Sequence, residues 1–211
     1  MNTGRAETTA FPPAGERTRD TVIEEMDHRI KNHLQMLASY ARSASRRRGL
    51  TLSELGEDLA DKLSAIAGAH DALHRAAGQG FGLALPFLET LVAAFDGSGR
   101  RIHVTCDPTL QLPAAELAPV GMIVSEAIAN ALKHAFPEGR DGDVWVRLTE
   151  AGGRVTLAIR DNGIGMPDLD HTPNSGRGLI EALAQQLGGR ARLGSVPFGG
   201  AEVQVVFPHS H

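Results

Sequence analysis

Residues 120–134 read Val120-Gly121-Met122-Ile123-Val124-Ser125-Glu126-Ala127-Ile128-Ala129-Asn130-Ala131-Leu132-Lys133-His134, and they carry two faces at helical period. Val120, Ile123, Val124, Ala127 and Ala131 form an apolar stripe suited to pack on a sheet. Glu126, Asn130, Lys133 and His134 fall at i, i+4, i+7 and i+8 and share the opposite side. A carboxylate, a carboxamide, an ammonium and an imidazole in one row make a floor for a triphosphate. Asn offers a neutral oxygen to Mg²⁺, and Lys offers charge to phosphate. Taken alone, the same row also suits an ordinary polar helix face.

Two glycine-bearing stretches follow in order. Arg160-Asp161-Asn162-Gly163-Ile164-Gly165-Met166-Pro167 closes a strand pattern and opens a loop. Asp161 at the strand end is placed to accept a hydrogen bond from an adenine amino group, and Gly163 and Gly165 permit close backbone approach. Asn174-Ser175-Gly176-Arg177-Gly178-Leu179 leads to a helix start at about Gly178, where backbone N–H groups would meet anionic oxygens. Each piece alone is weak, since Asp-Asn-Gly is also common turn chemistry. The three pieces in this order are far more specific, and the polar 166–175 segment between the last two suits a lid over nucleotide.

Around these pieces the pattern is mixed α/β. A helix is expected over 86–95 from Pro86 and another over 113–135, with a strand at 101–106. Strands at 143–150 and 154–160 join through Gly152-Gly153. A helix over 178–187 precedes strands at 190–195 and 202–207. Helices alternating with paired strands point to a two-layer α/β sandwich.

Upstream the architecture changes. Residues 1–20 lack apolar periodicity and read as a flexible tail. From Ile23 a heptad-like stripe through Met26, Ile30, Leu37, Tyr40 and Ala44 marks an amphipathic helix over 21–48, ended at Gly49. Thr51-Leu52-Ser53-Glu54 matches a capping box and starts a second helix reaching about Ala77. Two helices joined so tightly form an antiparallel hairpin. One hairpin buries its apolar faces poorly, so a homodimer forming a four-helix bundle is expected. Gly78-Gln79-Gly80 marks the boundary, dividing the chain into 1–20, 21–78 and 79–211.

Composition narrows the function classes. The 21 basic and 25 acidic side chains give a formal charge of -4, which offers no general reason to bind nucleic acid or an anionic membrane. Arg46-Arg47-Arg48 is the one dense basic run and reads as a solvated helix end. The single cysteine, Cys106, excludes an intramolecular disulfide and a Cys-based zinc site, and suits a reducing cytoplasm. No apolar run approaches the roughly 20 residues of a membrane span, and residues 1–20 lack the core of a secretory signal.

These boxes resemble those of a known group. Glu126, Asn130, Lys133 and His134 resemble the N box of the GHKL ATPases. Asp161-Asn162-Gly163-Ile164-Gly165 is similar to the G1 box, and Gly176-Arg177-Gly178-Leu179 to the G2 box. His28-Arg29-Ile30-Lys31-Asn32-His33-Leu34-Gln35 resembles the phosphoacceptor box of the HisKA_2 histidine kinases. His33 stands where that group usually carries a second Asn. The related HWE group carries a Trp-x-Glu pattern, whereas Trp145-Val146-Arg147 lacks the glutamate, which sets the chain nearer HisKA_2.

The resemblance implies a dimerising helical hairpin followed by a Bergerat-type ATP-binding domain. It implies Mg-ATP as phosphodonor, with Mg²⁺ at Asn130 and nucleotide at Asn130, Lys133, His134, Asp161, Gly163, Gly165, Gly176, Arg177, Gly178 and Leu179. It implies a response-regulator receiver aspartate as the final acceptor. No sensor domain is expected ahead of the hairpin, so the signal would come from a separate sensor protein.

In the heptad frame His28 falls at an outward position. An unperturbed imidazole, with a pKa of about 6.5, is mostly neutral and nucleophilic at cellular pH. His28 is therefore the expected phosphoacceptor, with Arg29 and Lys31 flanking it. Glu126 or Asp27 is the candidate acid–base group. Asn32, one turn after His28, either orients water against a receiver's acyl phosphate, giving a phosphatase activity, or positions His28. Two other readings compete: a histidine phosphotransferase that does not use ATP, and a GHKL anti-sigma or serine-kinase switch protein.

Overall fold

The computed structural model describes residues 81–166, 176–197 and 199–209, together with residues 38, 41, 42, 51, 53, 56, 59, 60 and 63. The chain divides into two compact units, Met1–Gln35 and Met36–His211, and every described residue belongs to the second. His28, Arg29, Lys31, Asn32 and the expected 1–20 tail lie outside the described residues, as does the 167–175 segment. Of the expected hairpin, residues 38, 41 and 42 and residues 53, 56, 59, 60 and 63 are helical.

Strict two-residue alternation builds the sheet. Strands β2 (Arg101–Cys106), β4 (Asp143–Ala151), β5 (Arg154–Asp161), β6 (Arg190–Ser195) and β7 (Ala201–Pro208) pair in the order β2-β4-β5-β7-β6. The β2–β4 pairing is parallel and the other three are antiparallel. Val144, Val146 and Leu148 on β4, Val155, Leu157 and Ile159 on β5, and Val203, Val205 and Phe207 on β7 all point inward and are buried. Burying one such side chain stabilises the fold by about 1.5–3 kcal/mol relative to leaving it exposed. Register Ala151↔Arg154 closes β4 onto β5 through two glycines, Gly152 at φ 60° and Gly153 at φ 71°. Both central positions of such a tight hairpin require positive φ, which the glycines adopt without strain.

Helices α1 (Ala84–Ala93), α2 (Ala114–His134) and α3 (Gly176–Gln186) cover the inner face. Leu88, Ile123, Val124, Ile128, Ile180 and Leu183 are fully enclosed between the layers. The expected two-layer α/β sandwich is the architecture found. By length and composition Ala115–His134 would suffice to cross a membrane, with mean hydropathy 1.3, but 72% of it is buried as the central helix of this core.

Several boundaries differ from the sequence expectations. Helix α1 starts at Ala84, two residues before Pro86. The described part of α3 already begins at Gly176 rather than Gly178, so the Gly176-Arg177-Gly178 triplet forms its first turn. A two-stranded ribbon of β1 (Phe81–Leu83) and β3 (Gln111–Pro113) was not anticipated. Three-residue strands carry too little periodicity to read, and this pair is defined by tertiary contact.

Candidate functional site

Helix α2 sets the floor. Its one-turn spacing brings Asn130 Nδ2 to donate to Glu126 Oε1 at 3.1 Å. A carboxylate only accepts, so this bond fixes the carboxamide's orientation and leaves Asn130 Oδ1 as the acceptor it presents elsewhere. Glu126 is 5% exposed and Asn130 half-buried, while Lys133 and His134 are exposed in the last turn. The polar row is therefore graded, enclosed at Glu126 and open at Lys133. Cations in the last turn also suit the negative end of the helix dipole.

The turn after β5 is held onto that helix. Asp161, 5% exposed, accepts through Oδ1 from the N–H of Gly163 at 2.8 Å and from the N–H of Ala201 at 3.2 Å. Two donors on one oxygen lock the carboxylate in place. The N–H of Ile164 donates to the carbonyl of Ala135 at 3.0 Å, just past the end of α2. A β-carbon on Gly163 would overlap Ala135, so only glycine allows this approach. Asn162 Oδ1 accepts from the N–H of Asp143 at 2.9 Å, tying the same turn to the start of β4.

Helix α3 closes the arrangement. A β-carbon on Gly176 would overlap Glu126 Oε1 and come within 3.0 Å of Asn130 Nδ2. The start of α3 therefore lies directly on the Glu126–Asn130 pair. Arg177 Nε pairs with Glu181 Oε1 at 3.1 Å along α3. Leu179, 8% exposed, is a core side chain, so only its backbone is placed to meet a ligand.

Three site residues escaped sequence reasoning. Ser195 Oγ accepts from the N–H of Met166 at 3.0 Å and donates to its carbonyl at 3.1 Å, gripping both backbone groups where the loop leaves Gly165. Gly200 abuts the carbonyl of Asp161, and Ala201 binds its carboxylate. The Gly199-Gly200 pair was legible only as a turn, and nothing local signals contact across the sheet. Cys106 is not a candidate nucleophile: burial first, and then the neighbouring Asp107, push its thiol up to about 11.

Residues 25–108 match the family model of the HWE histidine kinases. Residues 115–211 match that of the histidine kinase-, DNA gyrase B- and HSP90-like ATPases. The chain carries the two domains of a histidine kinase core. The matching hairpin model is that of the HWE group, a correction to the placement nearer HisKA_2. That placement leaned on the missing glutamate at Arg147, a position outside the matched segment.

The histidine kinase core is 30% identical over 183 residues to blue-light-activated histidine kinase 2 of Erythrobacter litoralis, covering 80% of this chain and 52% of that one. It is 28% identical over 180 residues to the sensor histidine kinase PdtaS of Mycobacterium tuberculosis, covering 79% of this chain and 35% of that protein. The chain thus spans about half the length of the first relative and about a third of the second. Among solved structures, the histidine kinase domain of Erythrobacter litoralis EL346 superposes with a TM-score of 0.67 at 25% identity. That likeness covers 93% of this chain and 95% of the other.

Proposed function

We propose that this histidine kinase core binds Mg-ATP between α2, the Asp161–Gly165 turn and α3, and transfers the γ-phosphoryl group to His28. The phosphoryl group then passes to an aspartate of a response-regulator receiver domain. The reading rests on one observation: Glu126, Asn130, Gly176 and the Asp161 turn, dispersed in sequence, converge on the C-terminal half of α2. The close seating of Gly176 on the Glu126–Asn130 pair brings the first turn of α3 to the rim of that pair, and helix-start N–H groups are donors suited to a phosphate chain.

In the proposed step a His28 ring nitrogen attacks the γ-phosphorus in line. The bond from that phosphorus to the β,γ-bridging oxygen breaks, and ADP leaves with the electron pair. Asp161, its Oδ1 held by two backbone N–H groups, accepts from the adenine amino group. Asn130 Oδ1 would hold Mg²⁺, which supplies charge neutralisation at the transferring phosphate, and Lys133 adds cationic charge beside it. Glu126 or Asp27 takes the proton that the imidazole sheds; a lost general base lowers the rate by about 10²–10⁴-fold. His134, Gly165, Arg177, Gly178 and Leu179 complete the nucleotide contacts, and Arg29 and Lys31 stabilise the phosphorylated imidazole.

The proposal extends to organisation. Residues 21–78 form a hairpin that pairs with a second copy, residues 79–211 form the ATP-binding domain, and the protein acts in the cytoplasm. Asn32 gives the hairpin a phosphatase action on the receiver.

Incubation with γ-labelled Mg-ATP tests the central claim. The label should be acid-labile and base-stable, as phosphohistidine is. His28→Ala should abolish labelling while ATP still binds. Full labelling of His28→Ala would overturn the acceptor assignment, and an absence of nucleotide uptake at millimolar Mg-ATP would overturn the whole reading.

A further inference from the structure

Among the described residues no helix covers the outer face of the sheet, and that face carries an unbalanced charge. Alternation places Arg101, Arg147, Arg154, Arg160, Arg190 and Arg192 on that face, all exposed. Only two carboxylates share it, Asp143 and Glu202. The chain as a whole carries a formal charge of -4, so this face runs against the rest of the molecule. Among the described residues Arg101 is held bidentately by Asp143, at 2.7 and 3.2 Å, whereas Arg147, Arg160, Arg190 and Arg192 form no ion pair.

Trp145, 37% exposed, lies on the second of the five strands, next to Arg147 on the same side of β4. His103 stacks on its ring with centroids 5.7 Å apart and planes 16° apart, and His103 Nε2 lies 3.3 Å from Asp143 Oδ1. Across β5 the register sets Trp145 opposite Arg160 and Arg147 opposite Ala158; across β2 Arg147 faces Thr105. Nothing in the fold requires this concentration of like charge, which opposes folding through mutual repulsion.

We propose that this sheet face, through Trp145, Arg147 and Arg160, docks an acidic surface of a partner protein. The proposal rests on the fold alone and stands whether or not the ATP reading holds. Tryptophan and arginine are the residue types that carry most binding energy at protein interfaces, and here they sit together on adjacent strands β4 and β5. A second copy does not fit, because pairing this face with itself opposes arginine to arginine. Single-stranded nucleic acid would need open aromatic platforms, and Trp145, the one Phe, Tyr or Trp on the face among the described residues, is already stacked by His103. Five strands at normal spacing present roughly 400–500 Å², the footprint of a transient signalling encounter.

The test uses the full chain and three labelled probes: a twelve-residue glutamate peptide, a twelve-nucleotide thymidine strand, and vesicles containing phosphatidylserine. The peptide should bind at low salt, and binding should weaken several-fold as the Debye length shrinks from about 30 to 8 Å. Arg147→Glu should weaken peptide binding about fivefold or more, while Arg140→Glu, the same charge change off the sheet, should have less than a twofold effect. Thermal unfolding of both variants checks that the fold is intact. Equal loss in the two variants, tighter binding of the thymidine strand or the vesicles, or no peptide binding up to 1 mM would each overturn the proposal.

Discussion

Gly176 at the start of α3 lies against the carboxylate of Glu126 in the middle of α2, so closely that no β-carbon fits between them. This approach places a helix N-terminus over the carboxylate–carboxamide pair. It makes the glycine a structural requirement of the site.

Gly176→Ala should therefore displace α3 from the Glu126–Asn130 pair. Overpacking of this kind costs about 1–3 kcal/mol. The expected result is a drop of several degrees in melting temperature and at least a tenfold weaker nucleotide affinity by calorimetry. An alanine variant with unchanged affinity would show that the phosphate chain does not pass this point.

Asp161 separates stability from recognition. Asp161→Ala strands the N–H groups of Gly163 and Ala201, and leaving a buried donor unmade costs about 1–3 kcal/mol. Asp161→Asn retains an acceptor for those two donors but replaces the other oxygen with a donor. The asparagine variant should keep most of the thermal stability and still lose at least tenfold in ATP affinity, read by unfolding and calorimetry side by side.

Ser195 offers a milder test. Ser195→Ala removes both bonds to Met166, and a single hydrogen bond is worth about 0.5–1.5 kcal/mol net. Because Ser195 lies beside Gly165 at the exit of the Asp161 turn, the loss should fall on nucleotide affinity, by about fivefold, more than on melting temperature. Titration with a fluorescent ATP analogue reads this directly.

The pH dependence of stability should show the Asp143 cluster. The Arg101 hydrogen bond, and then His103, hold the Asp143 carboxyl below its usual range; Thr109 does the same for Asp107. A carboxyl with a depressed folded-state pKa adds stability that is complete above its unfolded value of about 3.9 and is lost as pH falls through the lower folded value. The melting-temperature gap between wild type and Asp143→Asn should be constant at neutral pH and close below about pH 4. A gap that persists undiminished at pH 2.5 would show that the Asp143 charge does not set it.

What the sequence determined by itself was local and periodic. The strands at 101–106, 143–151, 154–161 and 190–195 were legible because one buried face imposes strict alternation. The long helix was legible because its apolar stripe and its Glu126–Asn130–Lys133 row recur at helical spacing. The glycine boxes were legible because positive φ and close approach leave few other residues possible. Tertiary structure alone decided which of these pieces touch. Glu126 on Gly176, Ile164 on the end of α2, Ala201 on Asp161 and Ser195 on Met166 are contacts between residues far apart in the chain, set by how helices seat on the sheet. The same holds for the arginine-rich outer face. Its residues are scattered over four strands, and only strand order and register gather them onto one surface.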